Sequence, residues 1–340
     1  MPEPRCNTLQ LPIENLDPAA EILRGGGTVA FPTETVYGLG ANALDADAVE
    51  KIFAAKQRPH WDPLIVHISS LEMLSTIVSA VPERARMLME AFWPGPLTLL
   101  LPRNLSLPLA VTAGRDLVGV RMPAHPVALD LIRRAGAPIA APSANLFGHV
   151  SPTSAAHVLA DLDGAIDAIV DGGSTSVGVE STVLDPNTSP MTLYRPGAIT
   201  LEEIVAIAGP TVRYQPLDAP AGTKPESLPS PGVGIRHYAP RARVILVQDE
   251  NDLHRTIEEM KDERVGVLLP TEWAVPAPPI EALFWGSWSD TPALAHALFE
   301  GLRTLDVRGV KIILCPIPKE GSGPLAEAIR DRLLKAAKSA

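Results

Sequence analysis

Residues 31–40 read FPTETVYGLG and set two threonines, a carboxylate and a phenol between an apolar lead-in and two glycines. Alternation along an extended chain puts Thr33 and Thr35 on one face, with room for Tyr37 beside them. The backbone can come close to a ligand at Gly38 and Gly40, where no Cβ intervenes. Such a segment is suited to holding a small polar molecule. Further chemistry is scattered: Lys56-Gln57-Arg58, His67 inside PLIVHI, Arg121 as the one charge of VGVRM, Ser143 and Asn145 in PSAN, Glu180-Ser181-Thr182, and Arg195-Pro196-Gly197. An unpaired arginine in a buried strand would be costly, so Arg121 must face a cleft or a carboxylate. A lone histidine in an apolar run is more often a satisfied core residue, and cations at a helix C-terminus are a common structural choice.

The elements that must position these residues follow from periodicity and punctuation. Residues 18–24 form a helix that stops at three glycines, and 28–31 form the strand feeding the opening motif. A helix over 45–57 is capped by Asp45, presents Val49, Ile52 and Phe53 as its apolar stripe, and leaves Lys56 and Arg58 at an exposed end. Strands are expected at 63–68, 97–101, 118–122, 138–141 and 165–171, and helices at 71–78, 82–92, 126–135 and 201–208. Each candidate residue thus sits beside a strand end or a turn, where open α/β sheets bind ligands. From 209 to 240 seven prolines forbid regular ladders or helices, which reads as a linker. Beyond it, strands at 243–247, 264–269 and 310–314 alternate with helices at 251–260, 291–305 and 324–338, the pattern of a small parallel α/β domain.

The chain's 340 residues suffice for two domains. No apolar run approaches the roughly 20 residues of a membrane span, and the N-terminus lacks the basic start and apolar middle of a signal peptide, so a cytoplasmic address is expected. Cys6 and Cys315 are read as two free thiols. Residues 1–210 carry 13 Lys and Arg against 22 Asp and Glu, a balance of −9, and the remainder 16 against 17. That balance disfavours strong direct nucleic-acid binding, so an anionic substrate must be captured by a local cationic cluster.

In this order the motifs resemble the YrdC-like domain of the threonylcarbamoyl-AMP synthases over residues 8–208. The Pro-rich stretch 209–241 and the α/β domain at 242–340 extend the likeness to that family's two-domain form. The resemblance implies an N-terminal twisted open sheet with helices and a concave ligand cleft, a linker, and a small Rossmann-like parallel α/β domain. It implies a nucleotidyltransferase that converts L-threonine, bicarbonate and ATP to threonylcarbamoyl-AMP and pyrophosphate. The product would serve a downstream threonylcarbamoyl transferase complex that modifies the adenosine beside the anticodon in tRNAs reading codons that begin with A. Lys56 and Arg58, with Ser143 and Asn145, resemble a Lys-x-Arg…Ser-x-Asn set directed at ATP phosphates. Arg121 is suited to the threonine carboxylate, which reads as the anion available to a buried-strand arginine. Thr35, His67 and Ser181 can hold the rest of threonine, and Arg195 resembles a further phosphate or ribose contact. Mg2+ is expected with the nucleotide. No Ser-His-Asp or Cys-His pair is offered or needed, so catalysis would rest on positioning and on neutralising phosphate charge.

The linker string at 231–240 departs from the family pattern at Val233, Gly234 and Ile235, while Arg236, His237, Tyr238 and Pro240 match. It is expected to fold over the cleft as a lid, bringing Arg236 or Tyr238 to the nucleotide. Two other readings compete: a carbamoyl-adenylate-forming transferase for another acceptor, and a non-enzymatic RNA-binding or ribosome-assembly factor. Threonine-dependent pyrophosphate release separates all three.

Overall fold

The computed structural model describes residues 7–215, 227–230, 232–233 and 237–338. These form two compact units. The first comprises the described residues through Phe147, then Pro152–Thr175 and 180–233; the second takes Gly148–Ser151, Ser176–Val179 and the chain from His237 onward. The division falls inside the stretch read as a linker, and two short stretches of the first half pack with the second unit.

In the first unit the strands are β1 (Leu9–Pro12), β2 (Val29–Phe31), β3 (Gly38–Asn42), β4 (Ile65–His67), β5 (Leu97–Pro102), β6 (Leu117–Arg121), β7 (Ile139–Ala140), β8 (Ala168–Asp171), β9 (Thr182–Asp185), β10 (Met191–Arg195) and β11 (Thr211–Arg213). They join one mixed sheet in the order β1-β8-β2-β3-β7-β4-β6-β5-β9-β10-β11. Alternation sorts their side chains onto two faces. Ala30, Leu39, Val66, Leu99, Val120 and Leu184 build one continuous apolar core with Val49, Ile52 and Phe53 of the helix Ala46–Lys56. On the other face Val29, Phe31, Ile139 and Ala168 pack against Leu23 of the helix Asp17–Arg24 and Leu131 of the helix Pro126–Ala135. That second apolar set includes no residue of β4, β5, β6, β9 or β10, so the same face changes character between β7 and β4.

Local signals placed most of these elements. Asp45 accepts hydrogen bonds from Asp47 N and Ala48 N as the cap of Ala46–Lys56, and Thr200 with Glu203 forms a reciprocal capping box on Leu201–Ala208. The opening motif ends in a strand, with Gly38 and Gly40 both in β3. A Cβ at Gly40 would come within 2.6 Å of the Phe31 ring and 2.7 Å of Ile139. That space is filled by the protein's own core, and Gly40 serves packing rather than ligand approach. The prolines after 209 do not exclude a ladder either: Thr211–Arg213 lies between Pro210 and Pro216 and pairs in parallel with β10 at the sheet edge.

The second unit holds β12 (Arg243–Val247), β13 (Val265–Pro270), β14 (Glu281–Gly286) and β15 (Ile312–Pro316), all parallel, in the order β12-β15-β13-β14. β14 is an edge strand that the sequence reading did not foresee. Cys315 is a buried free thiol in β15, and Cys6 lies outside the described residues. No helix among the described residues is long and apolar enough to cross a membrane.

The segments 148–151 and 176–179 are tied into this unit by backbone. Ala239 N donates to Gly148 O at 2.9 Å, and the Arg303 guanidinium donates to Val150 O. Gly178 sits at φ 82° with its missing Cβ 2.4 Å from His296 Cα. Gly178→Ala should therefore destabilise this unit by about 1–3 kcal/mol beyond the cost of its positive φ. Gly321→Ala is the control, with φ 71° and nothing within 4 Å. Denaturant titration of the two variants should show the difference; equal losses would mean that the close approach at Gly178 is unimportant.

Candidate active site

Strand register assembles the scattered polar residues. Ile139 pairs with His67 and His67 with Arg121. Leu99 pairs with Val120, which sets Thr98 beside Arg121; Thr98 in turn pairs with Val183, and Val183 with Arg195. A register shift between Leu193 and Arg195 turns Arg195 away from the face that Leu193 occupies in the core. One transverse row across β4, β6, β5, β9 and β10 thus carries His67, Arg121, Thr98 and Arg195 on the face opposite the main core, beginning where the apolar set ends at Ile139.

Arg121 is 3% exposed. Its Nε donates to Gly95 O at 3.1 Å, its Nη1 to Thr35 Oγ1 at 2.8 Å, and its Nη2 pairs with Glu34 Oε1 at 2.6 Å. The internal carboxylate answers the expectation that this arginine awaits an anion: Glu34 already supplies one. Burial raises the Glu34 carboxyl, but the Arg121 charge and hydrogen bond outweigh it and hold the group below its usual range. His67, whose ring meets Phe31 edge-on, is held down to about 3 by burial and by Arg121, so it is a neutral imidazole. Its Nδ1 is buried with no hydrogen-bond partner. At the far end of the row Arg195 donates from Nε to Ser181 O at 2.9 Å and from Nη2 to Ser181 Oγ at 3.1 Å, and Ser181 Oγ lies 2.8 Å from Thr98 Oγ1.

The opening motif crosses this row. Thr33 Oγ1 donates to Val36 O at 2.6 Å and lies 2.8 Å from Thr35 Oγ1, a tight turn that presents Glu34 and Thr35 to Arg121. Tyr37 leaves that face: its hydroxyl donates to Gly173 O at 2.7 Å and accepts from Gly172 N, and burial pushes it up to about 12. The motif then reaches the second cluster, since Ala144 N donates to Tyr37 O and Gly38 bridges Ser143.

There the structure corrects the expectation of exposed cations. Lys56 is 1% exposed, because the Ser143–Asn145 turn closes over the helix end, and Arg58 is 7% exposed among Asp62, Pro63 and Phe147. Lys56 Nζ donates to Ser143 O and Asn145 O, each at 2.5 Å. Burial, then the neighbouring Arg58 charge, lowers Lys56 well below the ordinary lysine range. Arg58 donates from Nε to Asp62 O and from Nη2 to Pro63 O, pairs with the Asp62 carboxylate at 3.0 Å, and lies over the Phe147 ring. Asn145 Nδ2 donates to Leu146 O.

The first unit thus brings together Thr35, His67, Arg121, Ser181 and Arg195 in one group and Lys56, Arg58, Ser143 and Asn145 in another. Tyr238 belongs to the second unit, at φ 63°, its ring 5.7 Å from that of Phe299 and 5.3 Å from the Arg332 guanidinium carbon. Arg236 lies outside the described residues. Sequence reasoning missed Glu34, Asp62 and Thr98 as site members. Thr98 carried a usable signal, being the one polar residue of LTLLL just as His67 is of PLIVHI.

A family described as telomere recombination matches residues 21–197, and the threonylcarbamoyl-AMP synthase C-terminal domain matches residues 199–338. The chain is 47% identical over 325 residues to a threonylcarbamoyl-AMP synthase of Pyrococcus abyssi, covering 94% of this chain and 92% of that one. It is 46% identical over 324 residues to the synthase of the same name in Bacillus subtilis, again covering 94% and 92%. The crystal structure of P. abyssi Sua5 complexed with L-threonine superposes with a TM-score of 0.88 at 43% identity, covering 97% of both chains.

The burial of Lys56 has a measurable consequence. Lys56→Met keeps most of the side-chain volume but strands two carbonyls, so stability should fall by about 1–3 kcal/mol in urea titration. A helix-end cation in solvent would cost only about 0.3–1 kcal/mol. A loss confined to that smaller range would contradict the role of Lys56 as the tie that holds the Ser143–Asn145 turn.

Proposed function

The chain belongs to the threonylcarbamoyl-AMP synthase family, and on that premise we propose that it joins L-threonine, bicarbonate and ATP into threonylcarbamoyl-AMP with release of pyrophosphate. The observation that carries this reading is the polar row on an otherwise apolar sheet. It offers a guanidinium, a neutral imidazole and hydroxyls on neighbouring strands of one sheet face, a set matched to the carboxylate, amine and hydroxyl of threonine. Arg121 takes the carboxylate, and Thr35, His67 and Ser181 hold the remaining polar atoms. The Ser143–Asn145 turn, with Lys56 and Arg58 beneath it, is the seat for the ATP phosphates in this reading, and Arg195 extends it.

In the reaction the threonine amine captures bicarbonate as a carbamate, and a carbamate oxygen attacks the α-phosphorus as the bond to pyrophosphate breaks. The chain's part is alignment and fixed charge in a water-poor site. Mg2+ enters with ATP as part of the substrate, neutralising phosphate charge; among the described residues no group of three His, Cys, Asp or Glu could hold a metal of its own. The product passes to a transferase acting on tRNA, and the proposed compartment is the cytoplasm.

The test is pyrophosphate release from ATP and bicarbonate with and without L-threonine, which the reading requires to be threonine-dependent. Arg121→Lys is the informative variant, because Arg121→Ala would leave Glu34 buried without its cation. Lysine keeps the charge but loses the planar fork. kcat/KM for threonine should fall about tenfold to a hundredfold, with the ATP KM little changed. An unchanged threonine kcat/KM in the folded variant would remove Arg121 from the threonine site.

A further inference from the structure

Glu34 is a buried carboxylate in contact with the proposed threonine-binding arginine, and the reaction as described above gives it no task. The contact is between unlike charges 2.6 Å apart. Threonine is itself a zwitterion, with its ammonium and carboxylate separated by one carbon. An Arg–Glu pair on one side of a site is therefore complementary to it: the substrate carboxylate takes the guanidinium, and the substrate ammonium meets the carboxylate thereby displaced. A second observation marks the same spot as a ligand position. His67 Nδ1, beside Arg121 in the row, is buried with no hydrogen-bond partner.

We propose that Glu34 receives the threonine ammonium and accepts the proton that the amine must lose before it can attack carbon. The proposal rests on the synthase reading and deepens it. One N–H bond of the ammonium breaks and its proton goes to a Glu34 oxygen. The nitrogen lone pair then forms the C–N bond to the bicarbonate carbon, the C–OH bond of bicarbonate breaks, and the departing hydroxide takes a second proton from the nitrogen to leave as water, giving the carbamate; the Glu34 proton returns to solvent after adenylation. The charges facing Glu34 are Arg121 from β6, His67 from β4 and His125 at the head of the helix Pro126–Ala135. His67 is neutral and His125 is lowered, chiefly by burial, so Arg121 is the cation that keeps Glu34 a weak base. Burial alone would raise Glu34. Once a substrate carboxylate neutralises Arg121, burial dominates and Glu34 becomes a stronger base only when threonine is present.

The experiment measures threonine-dependent pyrophosphate release by the full chain across pH for wild type and Glu34→Gln, with thermal transitions recorded for both. Wild type should use the ammonium form and vary little on the alkaline side. Glu34→Gln must capture the free amine, so its kcat/KM for threonine should be at least about tenfold lower near neutrality and climb about tenfold per pH unit toward the amine pKa, with the ATP KM within about twofold. Equal kcat/KM, or a loss of the same size at every pH in a folded variant, overturns the proposal. Should Glu34→Gln fail to fold, wild type carries the test: replacing the threonine ammonium by hydroxyl must weaken binding at least about tenfold, and equal binding overturns the assignment. Threonine-independent release by wild type would instead overturn the synthase reading itself.

Discussion

An arginine cannot occupy the interior of a sheet without an anion, and Glu34 meets that requirement for Arg121 at 2.6 Å. Leaving either partner alone would cost about 3–5 kcal/mol, so the pair pins the opening motif across the sheet face. The rest of the first unit follows from that constraint. Thr33 closes a turn so that Glu34 and Thr35 both reach the guanidinium. Tyr37 anchors the far side to Gly172 and Gly173, and β3 carries the chain on to the Ser143–Asn145 turn. One ten-residue segment thereby connects the Arg121 cluster with the Lys56 cluster.

The site is a local exception to the hydrophobic pattern of one sheet face. Up to β7 that face is sealed by the helices Asp17–Arg24 and Pro126–Ala135; from β4 onward the paired positions are His67, Arg121 and Thr98. Polar side chains are tolerated there because the opposite faces of the same strands lie in a continuous apolar core. The apolar core and the polar row are thus carried by opposite sides of the same strands.

Much of this was legible in the sequence. Capping chemistry marked the helix after Asp45, apolar runs marked β4, β5 and β6, and single polar residues inside those runs marked His67 and Arg121. What could not be read was anything set by pairing across strands. Arg195 reaches the row only through a register shift, and Glu34 was invisible as the partner of Arg121, 87 residues away, because the sequence alone does not state which carboxylate a buried arginine finds. Lys56 looked exposed because the turn that buries it is supplied by residues 143–145. Gly40 looked like a ligand contact because nothing local says that Phe31 fills the space its side chain would need.

The central claim is that the Arg121–Glu34 pair is the receptor for the amino-acid end of threonine. A crystal structure of this chain with L-threonine tests it most directly. The account predicts the threonine carboxylate within about 3 Å of the Arg121 guanidinium, the ammonium at Glu34, and the direct contact between the two side chains opened. Threonine bound elsewhere, with the 2.6 Å contact intact, would contradict it.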